Sequence, residues 1–159
     1  MINSTFWVIV IAVGALLVAI GNIQYNRARE SESKKEMAAQ AVLILRPELD
    51  RNLKILVQMQ KDIPKSQIPV EAFDTAAWQT VSHGGLVLGL DDNLLPNMMK
   101  IYNLMNRANA LHFRILEMSI GVTSTISGTS AIRVQLQTNL LGILSELEPI
   151  LRDVANQKA

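Results

Sequence analysis

Few residues in this chain have the type and spacing to do chemistry. His83 and His112 are the only imidazoles, and there is no cysteine. His83 sits in a glycine turn, His83-Gly84-Gly85. His112 has Asn109 and Ile115 at i±3 and Ala108 and Leu116 at i±4, so no carboxylate or second imidazole shares its helical face. A metal site built from one helix needs such a pair, and none is expected. Asp91-Asp92 is the only adjacent acid pair. Paired carboxyls catalyse only where their surroundings split their pKa values, whereas a helix cap needs no special setting, so capping is the expected role. The run from Gly121 to Ser130 is rich in small residues but lacks the lysine and preceding strand of a phosphate loop. Its remaining possibility is an anion contact at a helix start, with Ser130 as cap and Arg133 in the first turn.

Asn52, Trp78, Tyr102, Asn106 and Asn109 form a more informative set. Trp78 and Tyr102 each belong to a residue type that occurs twice in the chain, so their positions are conspicuous. Tyr102 and Asn106 are spaced i,i+4 and share a helical face. A buried indole N–H or phenol O–H seeks a partner, and amides can supply it. The set reads as a polar knot that fixes helix register, with a small-molecule pocket as the alternative. No catalytic residue, metal or cofactor is implied.

Helices must position these residues. Val42, Leu45, Leu49, Asn52, Leu56 and Met59 are spaced 3, 4, 3, 4, 3, the apolar stripe of one helical face. Pro47 falls inside the stripe, which predicts a kink near Leu43–Arg46 or a junction of two helices. Residues 62–74 hold two prolines and no period, a connection. Asp74 or Thr75 suits the cap of a short helix over TAAWQTVS, stopped by Gly84-Gly85. Leu86–Leu90 is too short to assign as extended or helical. Asp91-Asp92 open a helix over roughly residues 92–121 with the stripe Ile101, Leu104, Ala108, Leu111, Ile115 and Met118. After a loop at 121–129, the last helix carries Ile132, Leu136, Leu140, Ile143, Leu147, Leu151 and Val154, with Pro149 expected to kink its end. The opposite faces carry Lys100, Arg107, Arg114, Glu117 and Arg133, so the stripes must pack on one another.

The N-terminus differs. Residues 1–26 contain no Lys, Arg, Asp or Glu. Thr5–Ile23 is close to the ~20 apolar residues that span a bilayer core, with Trp7 near one end and Tyr25 just past the other, as in an aromatic belt. A cleaved signal peptide would need a basic leader and a shorter apolar stretch. Arg27, Arg29, Lys34 and Lys35 follow the run and nothing basic precedes it, so the positive-inside rule puts the N-terminus outside and residues 27–159 in the cytoplasm. Ala15 and Ala19, or Gly14 and Gly21, would let two spans approach closely. The expected fold is all-α: a transmembrane anchor at 1–26, a helical stalk at 27–40, and an antiparallel bundle of three to four helices at 41–159.

Glu48-Leu49-x-x-Asn52-Leu53, Thr75-Ala76-Ala77-Trp78, Leu90–Leu95, Ile101-Tyr102 and Asn109 together resemble a layout in small bacterial single-pass membrane proteins of unknown function that carry a cytoplasmic helical domain. The resemblance covers residues of about 40–110. It implies a bacterial or phage origin, an inner-membrane location and no catalytic residue. The architecture is also similar to that of membrane effectors of bacterial antiviral signalling, in which a cytoplasmic domain binds a cyclic nucleotide.

The composition narrows function further. Fifteen Lys+Arg against 14 Asp+Glu leave a net charge of +1, which gives no electrostatic case for a nucleic-acid polymer as partner. The expected function is a non-enzymatic, membrane-held interaction module, self-associating and meeting a protein partner not identifiable from sequence. The alternative is a ligand-gated, nucleotide-sensing effector in antiviral defence, which needs a basic pocket built from Arg107, Arg114 or Arg133. A small enzyme using Asp91, Asp92 or His83 is the third possibility.

Overall fold

The computed structural model describes residues 4–65, 67, 71–120 and 128–156, with the backbone alone for 4–13, 120, 128 and 129. The described residues are helical, with no strand: α1 (Ser4–Asp62), a 3₁₀ turn (Ile63–Lys65), α2 (Ala76–His83), a second 3₁₀ turn (Leu86–Gly89), α3 (Leu94–Ile120) and α4 (Gly128–Asn156). The expectation of an all-α chain holds.

A 59-residue helix dominates the molecule. Its first part stands free: Leu16, Leu17, Val18, Ile20, Ile23 and Tyr25 are all exposed. Its last part is the central rod of the bundle, where Ala41, Leu45, Leu49, Ile55, Leu56 and Met59 are buried. Pro47 does not divide it. The chain stays helical through the proline, whose face points to solvent beside exposed Leu43. The carbonyl that loses its N–H partner, that of Leu43, therefore lies where water reaches it. Pro149 likewise lies inside α4 on an exposed face, and the helix runs on to Asn156. The expected junction of two helices at Leu43–Arg46 is therefore absent: one helix runs through.

α3 and α4 pack antiparallel, with the Lys100–Glu146 ion pair (3.0 Å) marking the register at one end. α3 is buried more widely than its sequence stripe suggests: Ile101, Leu104, Ala108 and Ile115 face the core as expected, and Met98, Tyr102, Met105 and His112 form a second buried row. Two helices, α1 and α4, cover it, so one stripe is not enough. α1 and α4 are tied on the surface by Gln60 donating to Glu148 (2.8 Å), a carboxyl that also accepts from Arg152 (2.9 Å). These two bonds, Gln60's first, hold Glu148 below the ordinary carboxyl range.

The Leu86–Leu90 segment, undecided from sequence, is a 3₁₀ turn. Gly85 enters it in the left-handed region at φ 72°, which glycine adopts at little cost. Asp91 then caps α3, its Oδ1 accepting from the N–H groups of Asn93 (2.9 Å) and Leu94 (2.6 Å), the capping role expected for the acid pair. Gly89 is pressed on α1. A β-carbon there would lie 2.5 Å from the Ala38 nitrogen and 2.6 Å from the Met37 β-carbon.

Backbone and β-carbon atoms cannot swing away as a side-chain tip can. Gly89→Ala should therefore lower stability by about 1–3 kcal/mol, the usual cost of overpacking. Gly142→Ala, at an open helical site with nothing within 4 Å, should raise it by about 0.5–1 kcal/mol. Urea unfolding of both variants checks the pair; equal midpoints would contradict the close approach at Gly89.

Candidate functional site

The polar residues singled out by the sequence converge around the connection between α1 and α2. Asn52 is fully buried on α1. Its side-chain oxygen accepts from the Asp74 N–H (2.9 Å) and its Nδ2 donates to the Asp74 carbonyl (2.7 Å). Asn109 on α3 does the same for the preceding residue, accepting from the Phe73 N–H and donating to its carbonyl, both at 2.9 Å. Two carboxamides thus hold two consecutive residues of an irregular segment by both main-chain groups. Buried main-chain groups outside secondary structure need such partners, and a carboxamide offers a donor and an acceptor at the spacing of a peptide unit. Phe73 can then bury its ring in the core.

Four residues before Asn52, and on the same helical face, lies Glu48. It is buried, and its carboxyl accepts three bonds: from Tyr102 Oη (2.6 Å), the Ala77 N–H (2.6 Å) and the Trp78 N–H (3.4 Å). The last two are first-turn N–H groups of α2, which have no intrahelical partner. Glu48 is therefore the cap of a helix it does not belong to, at the end of that helix where negative charge is favoured. Thr75 occupies the cap position by sequence but makes no side-chain cap bond; Asp74 Oδ1 takes the Ala76 N–H (3.1 Å). Trp78 and Tyr102 stack with ring centroids 4.8 Å apart and planes 10° from parallel. Burial, reinforced by the bond to Glu48, raises the Tyr102 pKa far above the ordinary phenol range, so Tyr102 is a fixed donor and not a proton-transfer group near neutral pH.

Of the five residues expected to cluster, Asn52, Trp78, Tyr102 and Asn109 meet; Asn106 points to solvent. The reason is angular: Asn106 lies on the α3 face beside exposed Arg107 and Ala110 rather than on the Tyr102–Met105–Asn109 row. Glu48, the residue that joins the cluster to α2, has only one sequence signal, its i,i+4 spacing from Asn52 beside a buried stripe.

The remaining expected contacts are dispersed. Ser130 lies inside the first turn of α4, because that helix already begins at Gly128; it is not the cap, and Arg133 falls in the second turn. The loop expected at 121–129 lies largely outside the described residues. Arg133 is partly buried, and its Nε has no hydrogen-bond partner among the described residues. His83 is exposed, its ring Nδ1 bonded to the Gln79 carbonyl (2.7 Å). His112 is buried in the bundle. No group of three His, Asp or Glu side chains suited to a metal occurs among the described residues. Gly14, Ala15, Ala19, Gly21 and Tyr25 are exposed on α1, and the side chains of Thr5 and Trp7 lie outside the described residues. Among the described residues no helix is long and apolar enough to cross a membrane.

Two concavities accompany the cluster. An apolar cavity of ≈ 400 Å³ lies between α1 and the ends of α3 and α4, walled by Val42, Leu45, Leu49, Leu90, Met98 and Val154, with Arg46 also in its wall. A groove of ≈ 640 Å³ between α3 and α4 brings Arg107 and Arg114 together with Thr138, Asn139, Gly142 and Glu146.

No family model matches the chain, and neither the curated proteins nor the solved structures hold a match.

The cluster makes a quantitative prediction. Glu48→Ala strips three donors of their acceptor and should cost about 3 kcal/mol or more, at roughly 1–3 kcal/mol for each buried donor left unpaired. Tyr102→Phe should cost less, about 1–2 kcal/mol, because the ring and its stack remain. The double variant should fall short of the sum, since the two residues share one bond. Additivity within about 0.5 kcal/mol in urea unfolding would show that the bond carries no energy.

Proposed function

We propose that this protein is a single-pass membrane protein, N-terminus outside, whose bundle is a non-enzymatic interaction module held in the cytoplasm of a bacterial cell. The observation that carries this reading is the continuity of α1. One helix leaves an apolar run and becomes the central rod of the bundle. Leu16, Leu17, Val18, Ile20 and Ile23 are distributed around more than half of its circumference, and all are exposed. Apolar groups on most sides of an uncovered helix call for a nonaqueous surrounding. Thr5–Ile23 would rise about 28 Å at 1.5 Å per residue, near the ~30 Å of a hydrocarbon core. The basic residues Arg27 and Arg29 directly after it support the cytoplasmic side for the bundle.

A polar cluster spent on holding the fold favours interaction over catalysis. Every polar atom of Glu48, Asn52 and Asn109 described above is engaged with the chain itself. Self-association fits the small-residue face of the span: nothing lies within 4 Å of a β-carbon placed at Gly14 or Gly21, so a second helix can come close there.

One observation favours a second reading. Arg107 and Arg114 share one groove with Thr138 and Asn139, the arrangement that a ligand-gated effector sensing an anionic nucleotide would use. Glu146 on the same groove, engaged by Lys100, works against a highly charged ligand.

Both readings meet in one set of measurements. Membranes from expressing cells should retain the full chain after alkaline carbonate extraction. In mild detergent its mass should be that of an oligomer, while residues 30–159 should be monomeric. Release by carbonate would end the membrane reading. A mass that changes only on adding a cyclic nucleotide, and not in Arg107→Ala, would favour the effector.

A further inference from the structure

We propose that the apolar recess between α1 and the ends of α3 and α4 binds the tail of a fatty carboxylate, a single-chain amphiphile with an anionic head, and that Arg46 holds the head. The inference is independent of the membrane reading.

The recess follows from the residues that meet at this end of the bundle. Val42, Leu45 and Leu49 bring one stripe of α1 to it. A close-packed interior would fill the space opposite with large side chains. Here small ones share the wall: Gly89 before α3, Ala155 on α4, and Ala38 one turn before Val42. Gly89 cannot be larger, because a β-carbon there would overlap the Ala38 nitrogen and Met37. What remains is a space of ≈ 400 Å³, in the usual size range of small-molecule sites. Its walls include core residues: Leu45 is 3% exposed and Met98 1%. Water among such residues finds few polar partners, so an apolar chain displaces it favourably. Met98, unbranched and flexible, can adapt to that chain.

The dimensions select the occupant. From Ala38 to Leu49 the wall rises about 16 Å at 1.5 Å per residue. That is the length of an extended saturated chain of about a dozen carbons, with bonds of ~1.5 Å. A volume of ≈ 400 Å³ over this length leaves a cross-section of about 25 Å², enough for one alkyl chain and far too little for a partner helix of ~10 Å diameter.

Charge selects the head. Among the residues of the wall, Arg46 is the only cation and Asp91 the only acid. Arg46 is exposed, so it stands where the recess meets water, and it makes no ion pair among the described residues. Asp91 Oδ1 is already engaged by the Asn93 and Leu94 N–H groups, at the helix end that favours negative charge. The unspent charge beside the recess is therefore positive. A guanidinium matches a carboxylate in fork geometry, and the chain behind that carboxylate enters the slot.

The test uses the full chain, in phosphatidylcholine nanodiscs or, if carbonate releases it from membranes, in buffer alone. A twelve-carbon fatty acid with a diazirine near its methyl end is photolysed with it, and the labelled peptides are read by mass spectrometry. The expected result is label in the peptides holding residues 38–49 and Met98 or Val154, prevented by excess dodecanoate. Arg46→Gln should weaken that competition about two- to fivefold, the range of one exposed ion pair. Val42→Phe, which fills the slot from a half-buried position, should abolish label in these peptides. Label that stays outside them, or that a folded Val42→Phe retains, overturns the site. Dodecyltrimethylammonium competing as well as dodecanoate, or competition unchanged in Arg46→Gln, overturns the assignment of the head. Should circular dichroism show that Val42→Phe does not fold, the peptide map and the head-charge comparison decide.

Discussion

The fold depends on the two polar side chains that α1 sends into its own apolar stripe. Glu48 and Asn52 are one helical turn apart and face the same way. Between them they accept or donate bonds to Asp74, Ala77, Trp78 and Tyr102. Without them the connection after α1 would bring unpaired main-chain groups into the core, and the Ala77 and Trp78 N–H groups of α2 would have no acceptor. Buried polar groups are costly unless satisfied, so the pair specifies a single position for α2. With α2 in place, Trp78 covers Tyr102, and the turn ending at Gly89 is delivered against α1.

Much of this was legible in the sequence because it follows from periodicity. The stripe from Leu45 to Met59, the stripe of α3 through Ile101 and Ile115, and the last helix all appear where 3-4 spacing places them. The acid pair before α3 announced a cap and Asp91 makes it. Meeting of Asn52, Trp78, Tyr102 and Asn109 was legible from residue type, since amides and amphipathic aromatics in apolar faces need partners. Other features depend on tertiary context. Pro47 reads as a break, yet it lies on the wet face of α1, where a lost hydrogen bond is replaced by water. Ser130 reads as a cap, yet helical geometry starts at Gly128. Asn106 shares a turn with Tyr102 but not its row. Glu48 carries no sequence signal of its capping role, because its partners lie more than 25 residues away on other elements. Long-range capping leaves no local pattern.

The same helix that anchors the chain in the proposed membrane arrangement also forms the centre of its domain. A tether of this kind does not leave the bundle free to wander. It fixes height and orientation, because the helix has no described interruption between the apolar run and the residues that bind α2. In that proposed arrangement the bundle would present a constant face, and motion of the N-terminal part of α1 would pass directly to the core. The groove holding Arg107 and Arg114 lies between α3 and α4.

The central claim is that α1 is one rigid rod through Pro47. Spin labels at Glu32→Cys and Lys54→Cys, both exposed and on nearly the same helical face, test it directly by double electron–electron resonance on the full chain in lipid. Their 22-residue separation should give one narrow distance of about 33 Å, at 1.5 Å per residue. A clearly shorter or broad distribution would mean that the helix breaks or hinges between its N-terminal part and the core, and would contradict the single rod.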